Sequence, residues 1–408
     1  MGILYQIGIH FFILFLRIAS IFNLKIRSGL EGRKNWISIL EDIPKNAQVI
    51  WFHCASLGEF DQGLPVMHEL KNKTSGAYIL VTFFSPSGMQ HFEKRAHPVD
   101  KALYLPFDTK TNAHIFINKV KPKLAIFVKY EFWPNFILEC QASKIKLVSI
   151  STLLRKNQIY FKSYGGFFKR ILKSMDHFFV QNEETKVLLE SIAITDVVVS
   201  GDTRYDRVLQ YKKDVSETNA ILTKFRTKGP VLIGGSSWEA EENIIKKFLE
   251  SNSKINVIIA PHNVSNANIK RIETLFNQPT MRYTEFNEKN DERILILDTI
   301  GHLSAAYQYA DYALIGGGFS GNLHNILEAG AFGLPVFFGP HHHKFPEAQN
   351  FIDGNIGFVI ENAAQLSEKI NALNHLEERK QKIEAFMQSQ AGATNKIVNH
   401  SFIREILQ

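Results

Sequence analysis

The stretch LIGGGFSGNLHNILEAGAFGLPVFFGPHHHKF, residues 314–345, decides the reading of the fold. An apolar run ending at Ile315 gives way to Gly316-Gly317-Gly318. Asn322-Leu323-His324-Asn325-Ile326-Leu327-Glu328-Ala329 follows, then Gly333-Leu334-Pro335-Val336, then Gly339-Pro340-His341-His342-His343-Lys344-Phe345. This is strand, glycine turn, helix and strand again. The glycines permit close approach of backbone to a ligand. The pattern predicts a helix starting near Asn325, its N–H groups aimed at a cleft. Glu328 stands one turn in, where a carboxylate can accept both hydroxyls of a ribose. Adjacent histidines splay apart and no second ligand cluster accompanies them, so no metal is expected.

Outward from this stretch, the chain alternates short apolar runs with helix-like segments. In the second half the runs are Val231–Gly234, Val257–Ala260, Ile294–Leu297, Tyr312–Ile315, Val336–Phe338 and Gly357–Ile360. In the first half they are Val49–His53, Tyr78–Phe83, Ala102–Leu105, Leu124–Val128, Lys146–Ile150, His177–Val180 and Val197–Ser200. Most are unbroken rather than alternating, which is how strands covered on both faces by helices read. Two successive α/β units in 408 residues imply two Rossmann-like domains with a cleft between them. The expected division is a segment at 1–40, a first domain at 41–207, a second at 208–385, and C-terminal helices at 386–408 packing back toward the first. Ligands of open α/β sheets bind beyond the carboxyl ends of the strands, so the residues just after each strand carry the functional reading.

The net charge of +7 is uneven. Residues 1–205 hold 26 Lys/Arg against 17 Asp/Glu, a net of +9; the rest holds 21 against 23. Such a half suits a nucleic acid, an anionic membrane or a phosphorylated ligand. From Ile3 to Leu24 the chain is almost wholly apolar, and Lys25, Arg27, Arg33 and Lys34 come directly after it. That length suffices to cross a bilayer or to lie in its interface as a membrane-associated helix, and a buried helix of the first domain is the alternative. The trailing cations favour a cytoplasmic location for the domains beyond them. Cys54 and Cys140 form no metal or disulfide pattern.

Val49–His53 runs into Cys54-Ala55-Ser56-Leu57-Gly58-Glu59-Phe60. A carboxylate in the first turn of a helix is favoured in its charged form, which suits a general base; a simple charge partner of the helix fits equally. Glu131, in Lys129-Tyr130-Glu131-Phe132-Trp133-Pro134-Asn135, comes after the Leu124–Val128 strand, as a functional carboxylate or a helix-start residue. Arg204, in Gly201-Asp202-Thr203-Arg204-Tyr205-Asp206, either offers a fixed cation for a departing phosphate or pairs with Asp202. No acid falls between Glu139 and Asp176, where eight Lys/Arg interleave with Tyr160, Phe161, Tyr164, Phe167 and Phe168. That mixture fits a phospholipid surface, a single-stranded nucleic acid or a solvated helix. Gly235-Ser236-Ser237-Trp238-Glu239 leaves backbone N–H groups at a strand end for a phosphate, and Pro261-His262-Asn263 forms a second strand-end loop.

The glycine-rich strand end, Glu-bearing helix and Gly-x-Pro-Val resemble the nucleotide-sugar site of GT-B glycosyltransferases. More closely, the chain resembles the bacterial Kdo transferases. Ala55–Glu59, Glu131–Asn135, Gly201–Asp206, Gly235–Glu242, His324–Glu328 and Gly339–His341 run in that family's order. The resemblance implies an enzyme on the cytoplasmic face of the inner membrane. It would attach Kdo from CMP-Kdo to a lipid A precursor, lipid IVA, with no cofactor and no nucleic-acid partner. It implies Glu59 as catalytic base, with Glu131 and Arg204 assisting. Pro261, His262, Gly301, His302, Leu303, Asn325, Ile326, Leu327 and Glu328 match the segments that hold CMP, beside Ser236, Ser237 and Gly317. The chain departs from the pattern at Lys129-Tyr130, where relatives often carry an acid and Thr. It departs again at His262 and His302, often Arg and Glu. A UDP-sugar transferase acting on another membrane lipid, or a non-catalytic membrane or nucleic-acid-binding protein, are the competing readings.

Overall fold

Unbroken apolar runs flanked by amphipathic helices dictate buried parallel strands, and that is the arrangement observed. The structure is a computed structural model describing residues 2–215, 219–287 and 292–407. It divides into two compact units, Met1–Arg207 with Ala391–Gln408, and Val208–Gln390.

The first unit holds β1 (Gln48–Cys54), β2 (Ala77–Phe83), β3 (Lys101–Tyr104), β4 (Leu124–Val128), β5 (Lys146–Thr152), β6 (His177–Val180) and β7 (Val197–Val199). They form one parallel sheet in the order β3-β2-β1-β4-β5-β6-β7. Alternation along β1 fills both faces: Trp51 packs with Phe116, Phe127 and Phe136, and Phe52 joins the opposite layer with Phe60 and Val81. The helices Ala393–Val398 and Ser401–Leu407 complete that second layer through Ile397, Val398 and Ile403. Asp206 fastens them by accepting from the Gly392 and Thr394 amides at 2.5 and 2.7 Å.

The second unit holds β8 (Val231–Ser237), β9 (Asn256–Pro261), β10 (Thr280–Arg282), β11 (Ile294–Ile296), β12 (Tyr312–Ile315), β13 (Val336–Phe338) and β14 (Gly357–Val359). Their order is β10-β11-β9-β8-β12-β13-β14, again parallel. In each sheet the winding reverses beside the first strand, between β1 and β4 and between β8 and β12, which is where open α/β sheets bind ligands.

The structure departs from the sequence reading in four places. The edge strand β10 is three residues, Thr-Met-Arg, and offers no apolar run to read. β8 continues past Gly234 to Ser237, with a register shift at Gly235/Ser237 and Ser236 held at φ 51°, so Ser236 and Ser237 lie in the strand and not in a turn after it. The Leu327–Ala331 helix starts two residues after Asn325 and is only five residues long. Arg33 is not a surface cation. It is buried, donating to the carbonyls of Gly29, Phe84 and Leu105 beside the rings of Phe84, Tyr104 and Phe107, and burial pulls its pKa down to about 10.

Among the described residues, one helix is long and apolar enough to cross a membrane, Gly2–Ala19. One side of it is fastened to the first unit. The Tyr5 hydroxyl donates to Asp108 at 2.6 Å, the Gln6 amide to Asn135 at 2.6 Å, and Ile9 is buried. The other side exposes Ile3, Leu4, Ile7, Phe11, Phe15 and Ile18.

Candidate functional site

In the first unit the candidate residues lie just beyond the two strands at the winding reversal. Glu59 stands in the first turn of the Leu57–Lys73 helix that leaves β1, 8% exposed, and accepts a hydrogen bond from the Ser56 hydroxyl. Glu131 comes after β4, which pairs with β1. Burial, and then the charge of Glu59, push its carboxyl above the usual range. A carboxyl raised in this way beside a second carboxylate suits proton transfer. Lys129, at the turn out of β4, is held at φ 72° with its ammonium over the Tyr130 ring.

A buried polar chain fixes the Glu131 loop. Trp133 stacks on Phe84 at 4.7 Å, and its Nε1–H donates to His53 Nε2 at 2.9 Å. His53 Nδ1 then carries the proton and donates to the Thr82 hydroxyl at 3.0 Å, which also accepts from Trp51 Nε1. Burial holds the His53 pKa down at about 3, so the imidazole stays neutral and keeps this tautomer. Asp108 caps the Pro134–Ala142 helix, accepting from the Asn135 and Phe136 amides at 3.1 Å each.

Arg204 opens the helix after β7, and Asp202 holds its guanidinium through Nε at 2.9 Å and Nη2 at 2.6 Å. Of the two alternatives for this residue, the pairing with Asp202 is the one observed, and it sets the direction of the guanidinium at this strand end. Thr203 ties that end to Glu59's helix, its hydroxyl reaching the Gln62 carbonyl at 2.6 Å and the Ser151 hydroxyl at 2.8 Å.

In the second unit four strand-end loops converge. After β12, a Cβ on Gly316 would stand 2.0 Å from the Ser236 carbonyl oxygen, and one on Gly318 would stand 2.4 Å from the Gly339 nitrogen. Gly317 sits at φ 85° and donates its N–H to Glu241 at 2.9 Å. Glu241 also accepts from the Trp238 amide at 3.0 Å, joining the loops after β8 and β12. His262, after Pro261, donates its backbone N–H to the Ser237 carbonyl at 3.0 Å. Its ring stacks on Trp238 at 4.4 Å and packs at a tilt against His324 at 4.7 Å, while Trp238 Nε1–H donates to His324 Nε2 at 3.2 Å.

The Glu328 carboxylate is already directed by neighbours. Asn325 Nδ2 donates to one oxygen at 2.9 Å and the Ser304 hydroxyl to the other at 2.5 Å. Asn325 also caps the Leu327 N–H at 3.1 Å, so that amide is engaged within the protein. Ser304 lies in the Leu303–Ala306 helix just after Gly301 at φ 100°, and His302 packs on Tyr283 at 4.9 Å. The loops carrying Ser236–Ser237, Pro261–His262, Gly301–Leu303 and Gly317–Glu328 are thus linked by direct bonds and ring contacts. Reading the sequence assigned no role to His53, Glu241 or Ser304. The signal for Glu241 was its place as the second of three acids in Glu239-Ala240-Glu241-Glu242, at the third position of the helix, where its side chain reaches back to the Trp238 N–H. Among the described residues no group of three or more His, Cys, Asp or Glu is arranged to hold a metal ion.

Residues 29–207 match the family model described as 3-deoxy-D-manno-octulosonic-acid transferase (kdotransferase). A 3-deoxy-D-manno-octulosonic acid transferase of Aquifex aeolicus is 28% identical over 335 residues, 79% of this chain and 85% of that protein. One from Rickettsia bellii is 25% identical over 381 residues, 90% of this chain and 87% of that protein. A crystal structure of a UDP-N-acetylglucosamine 2-epimerase superposes with a TM-score of 0.60 at 13% identity, covering 90% of this chain and 98% of that one. At that identity the likeness concerns the fold alone, and the fold is GT-B. The motif order and these relatives point the same way: residues 29–207 carry a domain of the Kdo transferase type, and most of the chain is similar to Kdo transferases.

Proposed function

We propose that the chain transfers Kdo from CMP-Kdo to a lipid A precursor, lipid IVA, in a single inverting displacement at the cytoplasmic face of the inner membrane. The observation that supports this best is the Glu59 and Glu131 pair on the adjacent strand ends of β1 and β4. A hydroxyl of the acceptor sugar attacks the anomeric carbon of Kdo while Glu59 takes its proton, and the bond from that carbon to the CMP oxygen breaks. Glu131, held by the Trp133–His53 chain, offers a second carboxyl that carries a proton more readily than an exposed one. CMP leaves as a phosphate monoester. Arg204 offsets its charge, and the reading calls for no metal. The ribose hydroxyls meet Glu328, whose carboxylate is fixed by Asn325 and Ser304. The basic first unit takes the phosphorylated acceptor. The N-terminal helix, fastened along one side by Tyr5 and Gln6, lies in the membrane interface and does not cross it.

The test supplies the purified chain with tetraacylated lipid A precursor and either CMP-Kdo or UDP-sugars, with and without EDTA. The reading expects a Kdo-bearing product from CMP-Kdo alone, inhibition by CMP and not by UDP, and no effect of EDTA. Transfer from a UDP-sugar instead would move the donor to the competing reading. Salt-sensitive binding to anionic vesicles with no turnover of any sugar nucleotide would remove the catalytic one.

A further inference from the structure

Between the N-terminal helix and the body of the first unit lies an apolar cavity of about 520 Å³. Tyr5, Gly8 and Ile9 form its helix side; Trp133, Phe167 and Phe168 form the opposite wall. Its volume is in the range of small-ligand sites, ~300–1,000 Å³. The lining grades from buried to exposed. Ile9 and Phe167 are 6% and 8% exposed, whereas Leu4 and Phe12, also on the lining, are 68% and 37% exposed. The cavity therefore continues into the bare apolar side of the helix. Its inner wall, Trp133, stands two residues from Glu131 and is fixed by His53 and Phe84.

We propose that this cavity is a subsite for one hydrocarbon chain of the lipid acceptor. The inference rests on the acceptor reading given above and adds what that reading lacks, a place for the lipid's apolar part. A linear chain fits a slot that no polar atom needs to share. The polar side-chain groups of the lining are turned elsewhere, the Tyr5 hydroxyl to Asp108 and the Trp133 Nε1–H to His53. A chain inserted from the membrane side would bring the sugar head it carries toward the Trp133 loop and Glu131, so that the slot serves both to extract the acceptor and to aim it.

Gly8 gives the test, because a Cβ added there meets no atom within 4 Å and the residue sits within a helix. Gly8→Leu fills the slot without straining the backbone, and circular dichroism verifies the fold. With the full chain in non-ionic detergent, Gly8→Leu should raise KM for tetraacylated precursor by roughly 10- to 100-fold, as expected for excluding a few buried methylenes. KM for CMP-Kdo, and for the same disaccharide stripped of its chains, should not change. An unchanged KM for the tetraacylated precursor overturns the proposal.

A second readout needs no turnover. Phosphatidylglycerol with brominated chains, doped into the micelles, should quench the fluorescence that distinguishes the wild-type chain from Trp133→Phe. Excess tetraacylated precursor should relieve that quenching, the chain-free disaccharide should not, and Gly8→Leu should abolish it. Quenching that persists in Gly8→Leu, or that the precursor does not relieve, overturns the subsite. Relief of quenching without Kdo transfer would instead sink the proposed reaction and leave the subsite standing.

Discussion

Removing the Glu241 carboxylate should loosen the second unit more than any exposed acid would. Glu241 is 1% exposed, and its two oxygens receive the Gly317 and Trp238 amides at 2.9 and 3.0 Å. In Glu241→Ala both N–H groups lose their acceptor. A buried donor left unpaired costs about 1–3 kcal/mol, so the pair predicts about 2–6 kcal/mol. For a unit of about 150–250 residues each kcal/mol shifts Tm by about 2–4 °C, which gives a fall of about 4–24 °C. Gly317 at φ 85° is held within a crowded turn, so the same change should raise KM for the sugar nucleotide while sparing that for the acceptor. Thermal melts followed by circular dichroism and initial rates at varied donor concentration measure the two effects. Glu241→Gln keeps one acceptor and should fall between. A Glu241→Ala chain with unaltered Tm and unaltered donor KM would refute the reasoning.

His53→Ala breaks the link from Trp133 to Thr82. Its expected signature is a red-shifted Trp133 emission and a reduced kcat, with KM for the donor unchanged. Asp108 carries a pH signature. Burial raises its carboxyl from 3.8 to about 6, so the folded chain retains a proton that the unfolded chain releases in that window. This group's contribution to stability is therefore full below its ordinary value and is lost as pH rises through about 6, a difference of about 3 kcal/mol. Denaturant titrations between pH 4 and 7 should show that slope in the wild-type chain and a flatter one in Asp108→Asn. On the N-terminal helix, Phe11→Ser with Phe15→Ser removes two exposed rings. Each full burial of such a side chain is worth about 1.5–3 kcal/mol, so vesicle sedimentation should show a large loss of binding with the melting profile unchanged.

How legible each residue was in the sequence depends on the kind of force that placed it. Unbroken runs such as Leu124–Val128 and Tyr312–Ile315 are buried on both faces, and hydrophobicity alone identified them as strands. Glu59 and Glu131 could be placed near strand ends because each follows such a run within a short loop or the first turn of a helix. Thr280–Arg282 escaped because a three-residue edge strand is fixed by its pairing with Ile294–Ile296 and not by its own composition. The continuation of β8 through Ser237 escaped for a related reason: Gly-Gly-Ser-Ser reads as a turn, and only pairing with β9 as far as Pro261 holds it as strand. Arg33 read as a membrane-flanking cation because nothing local reveals that carbonyls of Phe84 and Leu105, far along the chain, would satisfy it in a nest of rings. His53, Glu241 and Ser304 support candidate residues through bonds made across 80, 76 and 24 positions of sequence, and no window of neighbouring residues contains those partners.

The account stands most directly on Glu59. Single-turnover transfer from CMP-Kdo to tetraacylated precursor, followed by product mass in wild-type and Glu59→Gln chains, tests it. The amide keeps the shape and the Ser56 contact but cannot take the acceptor's proton. The account predicts a rate lower by about 10²–10⁴-fold, with donor binding retained. Transfer at an undiminished rate by Glu59→Gln would contradict it.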